Sequence, residues 1–147
     1  SQTHGRNEKM TAGADLFVDN GAWLAVSDAD DAHHRKAAAV YPALLASSRK
    51  LITTNLVVAE TYVLILKELG HEAAVTFLEK IKSSPRIERV YSGTAIDAEA
   101  EELLGKYSDQ DFSYTDAVSF VVMKKHRLRK AFAFDKHFIA AGFVLVP

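Results

Sequence analysis

The chain has 147 residues, no cysteine and a formal net charge of −1, and 48% of its residues are hydrophobic. This length and composition fit one globular domain with a single core. The lack of cysteine excludes disulfides, thiolate metal sites and cysteine nucleophiles, and it favours a reducing compartment such as the cytoplasm. Because the net charge is near zero, any nucleic-acid site must depend on a local basic patch. No apolar run is long enough to span a bilayer.

The first segment of the chain, residues 1–13, differs in composition from the rest. It is polar and lacks the apolar core of a signal peptide. We interpret it as a disordered tail, part of which could be an expression remnant preceding Met10. We therefore place the folded domain at residues 14–147.

Short apolar runs alternate with helical patterns along this domain. The runs that are too short for helices predict strands. Four of them are expected to be buried, at 16–18, 51–53, 131–134 and 143–146, and a fifth, at 87–91, is expected to be an exposed edge strand. Longer periodic segments predict helices at 32–48 with a kink or break at Pro42, 55–69, 71–82, 94–107 and 114–127. Single helical turns are expected at 22–26, after a turn at Asn20-Gly21, and at 136–141. This alternation predicts an α/β fold with a mostly parallel sheet.

Four carboxylates fall where such a fold would bring them together. Asp19 and Asp135 follow apolar strands, whereas Glu60 and Asp116 lie near the first turns of helices. In parallel sheets, sites lie outside the carboxyl ends of the strands where the strand order reverses. Because crowded carboxylates repel one another, we expect a divalent cation among them. Oxygen ligands favour Mg²⁺ or Mn²⁺ over zinc.

The helix that carries Glu60 is apolar nearly all round. A carboxylate on such a surface requires a cation, hydrogen-bond donors or a metal as its partner. The helix also has more apolar surface than one small sheet should cover, so we predict a homodimer that uses this helix or its neighbours.

The segment before the last long helix has a second interpretation. Ser113 is a good N-cap, and Asp116, three residues later, completes a capping-box pattern. Capping alone would account for Asp116, so helix capping and metal binding both remain open for this residue.

Several segments resemble motifs of the PIN domain, a metal-dependent nuclease fold, and most of all those of VapC-type ribonuclease toxins. The resemblance rests on residues 17–19, 53–60, 112–117 and 132–138 with Gly142-Phe143, and it covers nearly everything from Leu16 to Pro147. It implies a compact α/β/α sandwich, Rossmann-like, with a short, mostly parallel sheet of about five strands. The acidic quartet of the family would fall at Asp19, Glu60, Asp116 and Asp135.

The resemblance also implies an activity and partners. Metal ions held by the acidic quartet would cleave single-stranded or looped RNA through an activated water and leave a 5′-phosphate. A hydroxyl of Ser113 or Thr115 would assist the site, and a partner antitoxin would inhibit the enzyme. Asn20 departs from the family, which usually has a small hydroxyl residue at this position, although an amide there can still hydrogen-bond a water molecule at the site.

Basic and histidine side chains provide candidates for RNA binding. The candidate contacts are Lys124, Lys125, Arg127, Lys136 and His137. The first three belong to a basic run that is expected to lead back toward Asp135. His33 and His34 are expected on a solvated helix face.

Three other functions are compatible with parts of the pattern. The first is a PIN-domain nuclease in RNA processing that is not a toxin. The second is a catalytically silent PIN-like binding module, which the complete acidic quartet argues against. The third is a receiver-like phosphoacceptor, which needs adjacent acids after the first strand, whereas Asp19 is followed by Asn20.

Overall fold

The computed structural model describes residues 13–147. The tail predicted at 1–13 therefore lies almost entirely outside the described residues. Strands and helices alternate within the described part in this order: β1 Leu16–Val18, α1 Asn20–Ser27, α2 His34–Ser47, β2 Leu51–Thr54, α3 Asn55–Leu69, α4 His71–Ser83, β3 Ile87–Val90, α5 Thr94–Lys106, α6 Tyr114–Lys125, β4 Lys130–Phe132, α7 His137–Ala140 and β5 Val144–Val146.

The five strands form one parallel sheet in the order β3-β2-β1-β4-β5. The chain builds outward from β1 through β2 to β3 and then returns to add β4 and β5 on the other side. The strand order therefore reverses between β1 and β4, and the crevice at their carboxyl ends is the expected place for a site. The predicted α/β sandwich with a short parallel sheet is confirmed.

The centre of the sheet and α6 form the core. Residues of β1 and β2 are buried throughout, as is expected for parallel strands covered on both faces. In α6, nine consecutive residues from Thr115 to Met123 are buried, so this helix lies inside the domain. Its first turn is consequently held in a fixed position at the carboxyl edge of the sheet.

The predicted turn at Asn20-Gly21 is wrong, because α1 already begins at Asn20. Asp19 occupies the N-cap position with extended backbone, and its carbonyl accepts the backbone N–H groups of Ala22 and Trp23, each at 3.2 Å. The strand thus passes into the helix with a single residue between them. This short connection fixes the position of Asp19.

The helix predicted at 32–48 differs from α2 in its start and in its continuity. Residues 28–33 form a turn in which carboxylates of Asp28 and Asp31 accept the backbone N–H groups of Asp30 and His33, so α2 begins only at His34. Pro42 does not break α2. It lies on the exposed side of the helix, where the carbonyl left without a partner can bond water.

Strand β4 ends at Phe132, two residues earlier than predicted. Phe132 pairs with Val18 of β1 on one side and with Val146 of β5 on the other, and both are the last residues of their strands. Since neither neighbour extends further, the chain leaves the sheet after Phe132. Asp135 therefore lies on the loop between β4 and α7. No helix within residues 13–147 has both the length and the apolar character required to cross a membrane.

Candidate active site

Asp19 lies where β1 passes into α1, at the carboxyl edge of the sheet where the strand order reverses between β1 and β4. Only 3% of its surface is exposed. Burial raises the pKa of Asp19 to about 7, the Asn20 backbone opposes this rise, and the charges of Asp116, Asp135 and Glu60 add to it. The energetic cost of an ionised carboxylate here indicates that Asp19 requires a compensating cation or a proton.

Asp116 is held by the capping box that the sequence predicts. Its backbone N–H donates to Ser113 Oγ at 3.0 Å, and its own Oδ2 accepts the Ser113 N–H at 3.1 Å. The same Oδ2 lies 2.9 Å from Nδ1 of His137. The carboxylate therefore caps α6 and also faces the acidic cluster, so the two interpretations of Asp116 do not exclude each other.

His137 joins Asp116 to Asp135. Its Nδ1 lies 3.5 Å from Asp135 Oδ1, and its backbone N–H donates to the same oxygen at 2.9 Å. The hydrogen bond to Asp116 raises the pKa of His137, and the charge of Asp135 adds to that rise. One ligand atom from each of the three residues lies within 4.8 Å of the other two. The sequence suggested His137 only as an RNA contact and missed this bridging position.

Glu60 has both carboxylate oxygens engaged by donors from other helices. Asn20 Nδ2 donates to Oε1 at 2.7 Å, and Thr115 Oγ1 donates to Oε2 at 2.6 Å. These donors sit next in sequence to Asp19 and Asp116 respectively, so Glu60 links the second turn of α3 to the first turns of α1 and α6. Of the two hydroxyls considered, Thr115 contacts Glu60, whereas Ser113 is occupied by capping.

Three helices begin at this edge of the sheet. Asp19, Thr54 and Ser113 are the N-cap residues of α1, α3 and α6. The partial positive charge at the start of a helix stabilises a nearby carboxylate, and three such ends converge here. These helix starts therefore offset part of the repulsion among the acidic side chains at this edge.

The acidic quartet suits a hard divalent cation. Carboxylate oxygens predominate, Asp19 is buried at the base of the cluster, and Asp135 is partly open to solvent with 42% of its side chain exposed. Mg²⁺ and Mn²⁺ favour such oxygen ligands and retain several waters, which an open side permits. The imidazole of His137 lies among the same oxygens and would share or compete for them.

The basic candidates divide between two ends of the molecule. Lys136 is exposed directly after Asp135, and His137 lies within the cluster. Lys124, Lys125 and Arg127 lie at the far end of α6, with Lys124 about 12 Å along the helix from Asp116. The run enters the opposite end of β4, so the expectation that it leads back toward Asp135 is not met. Lys125 instead pairs with Glu99 at 2.7 Å.

The two neighbouring histidines are not simply solvated as predicted. Nδ1 of His34 lies 2.7 Å from the carbonyl oxygen of Ala25. His33 is exposed, but its ring stacks on Phe134 with centroids 4.2 Å apart and an interplanar angle of 6°. Ala25 belongs to the preceding helix and Phe134 is far away in sequence, so helical periodicity alone could not reveal these contacts.

Comparison with known proteins places this geometry in a family. Residues 16–144 match the PIN domain model. The chain is 35% identical over 132 residues to the 23S rRNA-specific endonuclease VapC20 of Mycobacterium tuberculosis, covering 89% of this chain and 97% of the relative. The crystal structure of M. tuberculosis VapC20, described as a sarcin–ricin loop cleaving toxin, matches with a TM-score of 0.81 and 33% identity over 88% of this chain and 96% of that one.

A second solved structure supports the fold alone. FitAcB from Neisseria gonorrhoeae matches with a TM-score of 0.60 and 17% identity over 90% of this chain and 96% of that one. The family model and the VapC20 relative each span most of the chain, and both agree with the resemblance inferred from its motifs. The chain therefore belongs to the PIN-domain family.

Proposed function

We propose that this protein is a metal-dependent endoribonuclease that acts as the toxin of a toxin–antitoxin pair. The observation that carries the proposal is the acidic cluster where the strand order reverses: Asp116, Asp135 and His137 bring ligand atoms within 4.8 Å of one another, and the carboxylate of Asp19 is buried at the same edge. The similarity to an endonuclease specific for 23S rRNA supports RNA as the substrate class.

Each residue of the site has a proposed role. Asp19, Asp116 and Asp135 would hold Mg²⁺ or Mn²⁺. Glu60 is oriented by Asn20 and Thr115 and would position the attacking water or bind the cation, directly or through water. When bound, the cation would neutralise charge on the phosphate and activate a water molecule for in-line hydrolysis.

Two residues beside the quartet are proposed to contact the RNA. Lys136 is exposed next to Asp135 and can reach a backbone phosphate. The raised pKa of His137 favours its protonated form, so its imidazolium adds a positive charge at the same place. Together they offset part of the repulsion between the acidic cluster and a polyanionic substrate.

The decisive assay is cleavage of end-labelled RNAs, including a sarcin–ricin loop hairpin, in Mg²⁺, Mn²⁺ or EDTA. We expect cleavage with either cation, none in EDTA, and products that carry a 5′-phosphate. Cleavage that survives EDTA would contradict metal dependence. If a homogeneous, folded preparation binds metal but cleaves none of the RNAs, the result would support a silent binding module instead.

The proposed antitoxin would dock on a surface beside the site. An open, apolar groove of about 440 Å³ is lined by Asn20, Ala59, Glu60, Val63 and Leu64. An apolar segment of a partner protein bound there would lie against Glu60 and restrict access to the acidic cluster. Toxic expression that is relieved by co-expressing the product of a neighbouring small gene would support this pairing. Harmless expression of an active enzyme would favour the RNA-processing alternative.

The exposed side of α3 supports the proposed homodimer. Leu66 and Leu69 are 39% and 41% exposed, although both are large and apolar, and they lie outside the groove lined by Val63 and Leu64. A second subunit covering them would remove this surface from water. Light scattering should give a dimer for the wild type and a monomer for Leu66→Glu, and a strictly monomeric wild type would contradict the proposal.

A further inference from the structure

An aromatic contact outside the acidic quartet lies at the same edge of the sheet. The ring of His33 stacks on Phe134 with centroids 4.2 Å apart and planes 6° from parallel. Phe134 immediately precedes Asp135 in the loop that carries this acid. One face of the imidazole is covered by Phe134, so the opposite face is the part of this exposed ring that solvent reaches.

The ring of His33 has rigid support from the core. A row of aromatic rings runs from the core to the surface through Trp23, Tyr41, Phe132 and Phe134, with successive centroids 6.5, 6.3 and 6.1 Å apart. On the other side, the backbone N–H of His33 donates to Asp31 Oδ2 at 2.9 Å. A ring that is already ordered loses little conformational entropy when a ligand stacks on it.

Positive charges lie beside this ring. Arg35 and Lys36 are exposed in the first turn of α2, and neither forms an ion pair with any of residues 13–147. Both line a surface cavity of about 670 Å³ together with His33 and Asp31, and one carboxylate oxygen of Asp31 already accepts the His33 N–H. A planar ring flanked by free cations matches the combination by which proteins bind single-stranded nucleic acid, namely base stacking and backbone neutralisation.

We propose that the open face of His33 stacks on an unpaired nucleobase flanking the scissile phosphate, while Arg35 and Lys36 contact the adjoining backbone. This inference rests on the proposed function, because it assumes that the scissile phosphate lies at the acidic quartet. His33 is then a specificity-determining residue, since it selects RNA whose base at that position can leave a helical stack.

The competing explanation is that His33 only connects the turn at 28–33 to the loop that follows β4. A double-mutant cycle between protein and RNA separates the two roles. The RNA series carries a single abasic nucleotide at successive positions around the cleavage site, and the protein series contains wild type, His33→Ala, His33→Leu and His33→Phe. Leucine still covers Phe134 but has no planar face, so it controls for loss of the structural contact. His126→Ala removes an exposed histidine after α6 and serves as the matched control.

The readouts are KM and kcat in Mg²⁺, dissociation constants in EDTA and thermal unfolding of each variant. We expect His33→Ala and His33→Leu to raise KM and the dissociation constant between about fivefold and about a hundredfold, the range for loss of one stacked base. One abasic position should weaken wild-type binding by a similar factor and should have no further effect in these variants. His33→Phe and His126→Ala should stay within about twofold of wild type.

The proposal is overturned if the loss of affinity caused by substituting His33 and the loss caused by each abasic position simply add, with no coupling at any position. It is also overturned if His33→Leu binds RNA like wild type, or if a folded His33→Phe fails to restore affinity. Failure of the proposed function is distinguishable from these outcomes. If affinity shows coupling between His33 and one abasic position but no RNA is cleaved, the nuclease function is rejected and the stacking site is retained. If cleavage is normal but no coupling is found, the stacking site alone is rejected.

Discussion

The two edges of the sheet carry opposite charge. The carboxyl edge gathers the acidic quartet, with Asp19 and Asp116 buried. The amino edge contains a cleft of about 690 Å³ whose lining includes Arg49, Arg127, Arg129 and Lys130, with Asp15 as the opposing acid. A formal net charge of −1 conceals this separation. Acids that follow strands and bases that precede strands are sorted to opposite edges because every strand points the same way.

The edges also differ in how strongly their charges are constrained. The acids are buried or half-buried and accept hydrogen bonds from Asn20 of α1, Thr115 of α6 and His137 of α7. The basic side chains are exposed, and Arg49 pairs with Asp15 at 2.8 Å at the surface. Crowded, desolvated acids interact strongly with a cation or a proton, whereas exposed charges are screened by water and salt. Substitutions should therefore have large effects at the carboxyl edge and small effects at the amino edge.

The largest effect is expected for Asp116→Asn. The amide keeps the size of the side chain and can still accept the Ser113 N–H, but it loses the charge that would hold a cation. Cleavage should fall by more than about a hundredfold, since residues that merely support metal ligands already contribute 10- to 100-fold. The free energy of unfolding should change by no more than about 1 kcal/mol, as expected when capping is retained.

The control for this substitution is Asp109→Asn, which changes an exposed carboxylate in the loop before α6. Its cleavage rate should equal that of wild type, because Asp109 has no place in the cluster. Full activity of a folded Asp116→Asn variant would mean that Asp116 serves only as a cap.

The second prediction concerns Asp19, pH and metal. Because burial raises its pKa to about 7, the native state binds the proton more tightly than the unfolded chain does. In metal-free buffer the free energy of unfolding should therefore fall as pH rises from about 4 to about 7, at up to about 1.4 kcal/mol per pH unit. The raised pKa of His137 acts in the same direction, since stability from its proton is also lost as pH increases.

Urea unfolding at pH 5 and pH 8 measures this dependence. Asp19→Asn should reduce the difference between the two pH values, leaving the part due to His137. Added Mg²⁺ should stabilise the wild type at pH 8, with a gain that grows with the logarithm of its concentration above Kd, and should have little effect on the variant. If the free energy of unfolding depends on pH equally in both proteins, Asp19 is not the carboxylate whose raised pKa links stability to pH.

A third, intermediate effect is expected for Thr115→Val. Valine has nearly the same shape but removes the 2.6 Å hydrogen bond to Glu60 Oε2. The carboxylate should lose its orientation, and kcat should fall about 10- to 100-fold. Ser119→Ala is the matched control, because Ser119 Oγ is buried in the same helix and has no hydrogen-bond partner among the described residues. A similar loss of kcat in both variants would point to disturbance of α6 and not to Glu60.

Local features of the sequence predicted much of this carboxyl edge. Asp19 follows a buried strand, and the capping box of Ser113 and Asp116 is contained within four residues, so both depend on neighbours in the chain. Strand alternation likewise predicted the parallel sheet. The need of Glu60 for a partner could also be inferred, because an unpaired carboxylate on an apolar helix is costly.

The identity of the partners could not be predicted, because they depend on how separate segments pack. Asn20 and Thr115 reach Glu60 from two other helices, and His137 reaches Asp116 from the start of α7. The direction of the basic run was misjudged for the same reason. Periodicity shows that a helix exists, but which edge of the sheet receives its end follows only from the packing of α6.

The smallest effect is expected at the amino edge, for the triple variant Lys124→Gln, Lys125→Gln and Arg127→Asn. Asparagine is chosen at 127 because Arg127 has a φ of 56°, a left-handed conformation that asparagine tolerates. Loss of the Lys125–Glu99 pair, which is about half exposed, should cost less than about 1 kcal/mol of stability.

For a short RNA hairpin the triple variant should keep kcat/KM within about threefold of wild type, because these charges lie at the far end of α6, with Lys124 about 12 Å along the helix from Asp116, and are screened. The slope of log affinity against log salt concentration should likewise change by much less than about three, the change expected if three phosphate contacts were lost. The measurement is cleavage and binding of the hairpin between low and physiological salt. A tenfold loss in a folded variant would show that even a short substrate extends around the domain to the amino edge, and the functional division between the two edges would then be wrong.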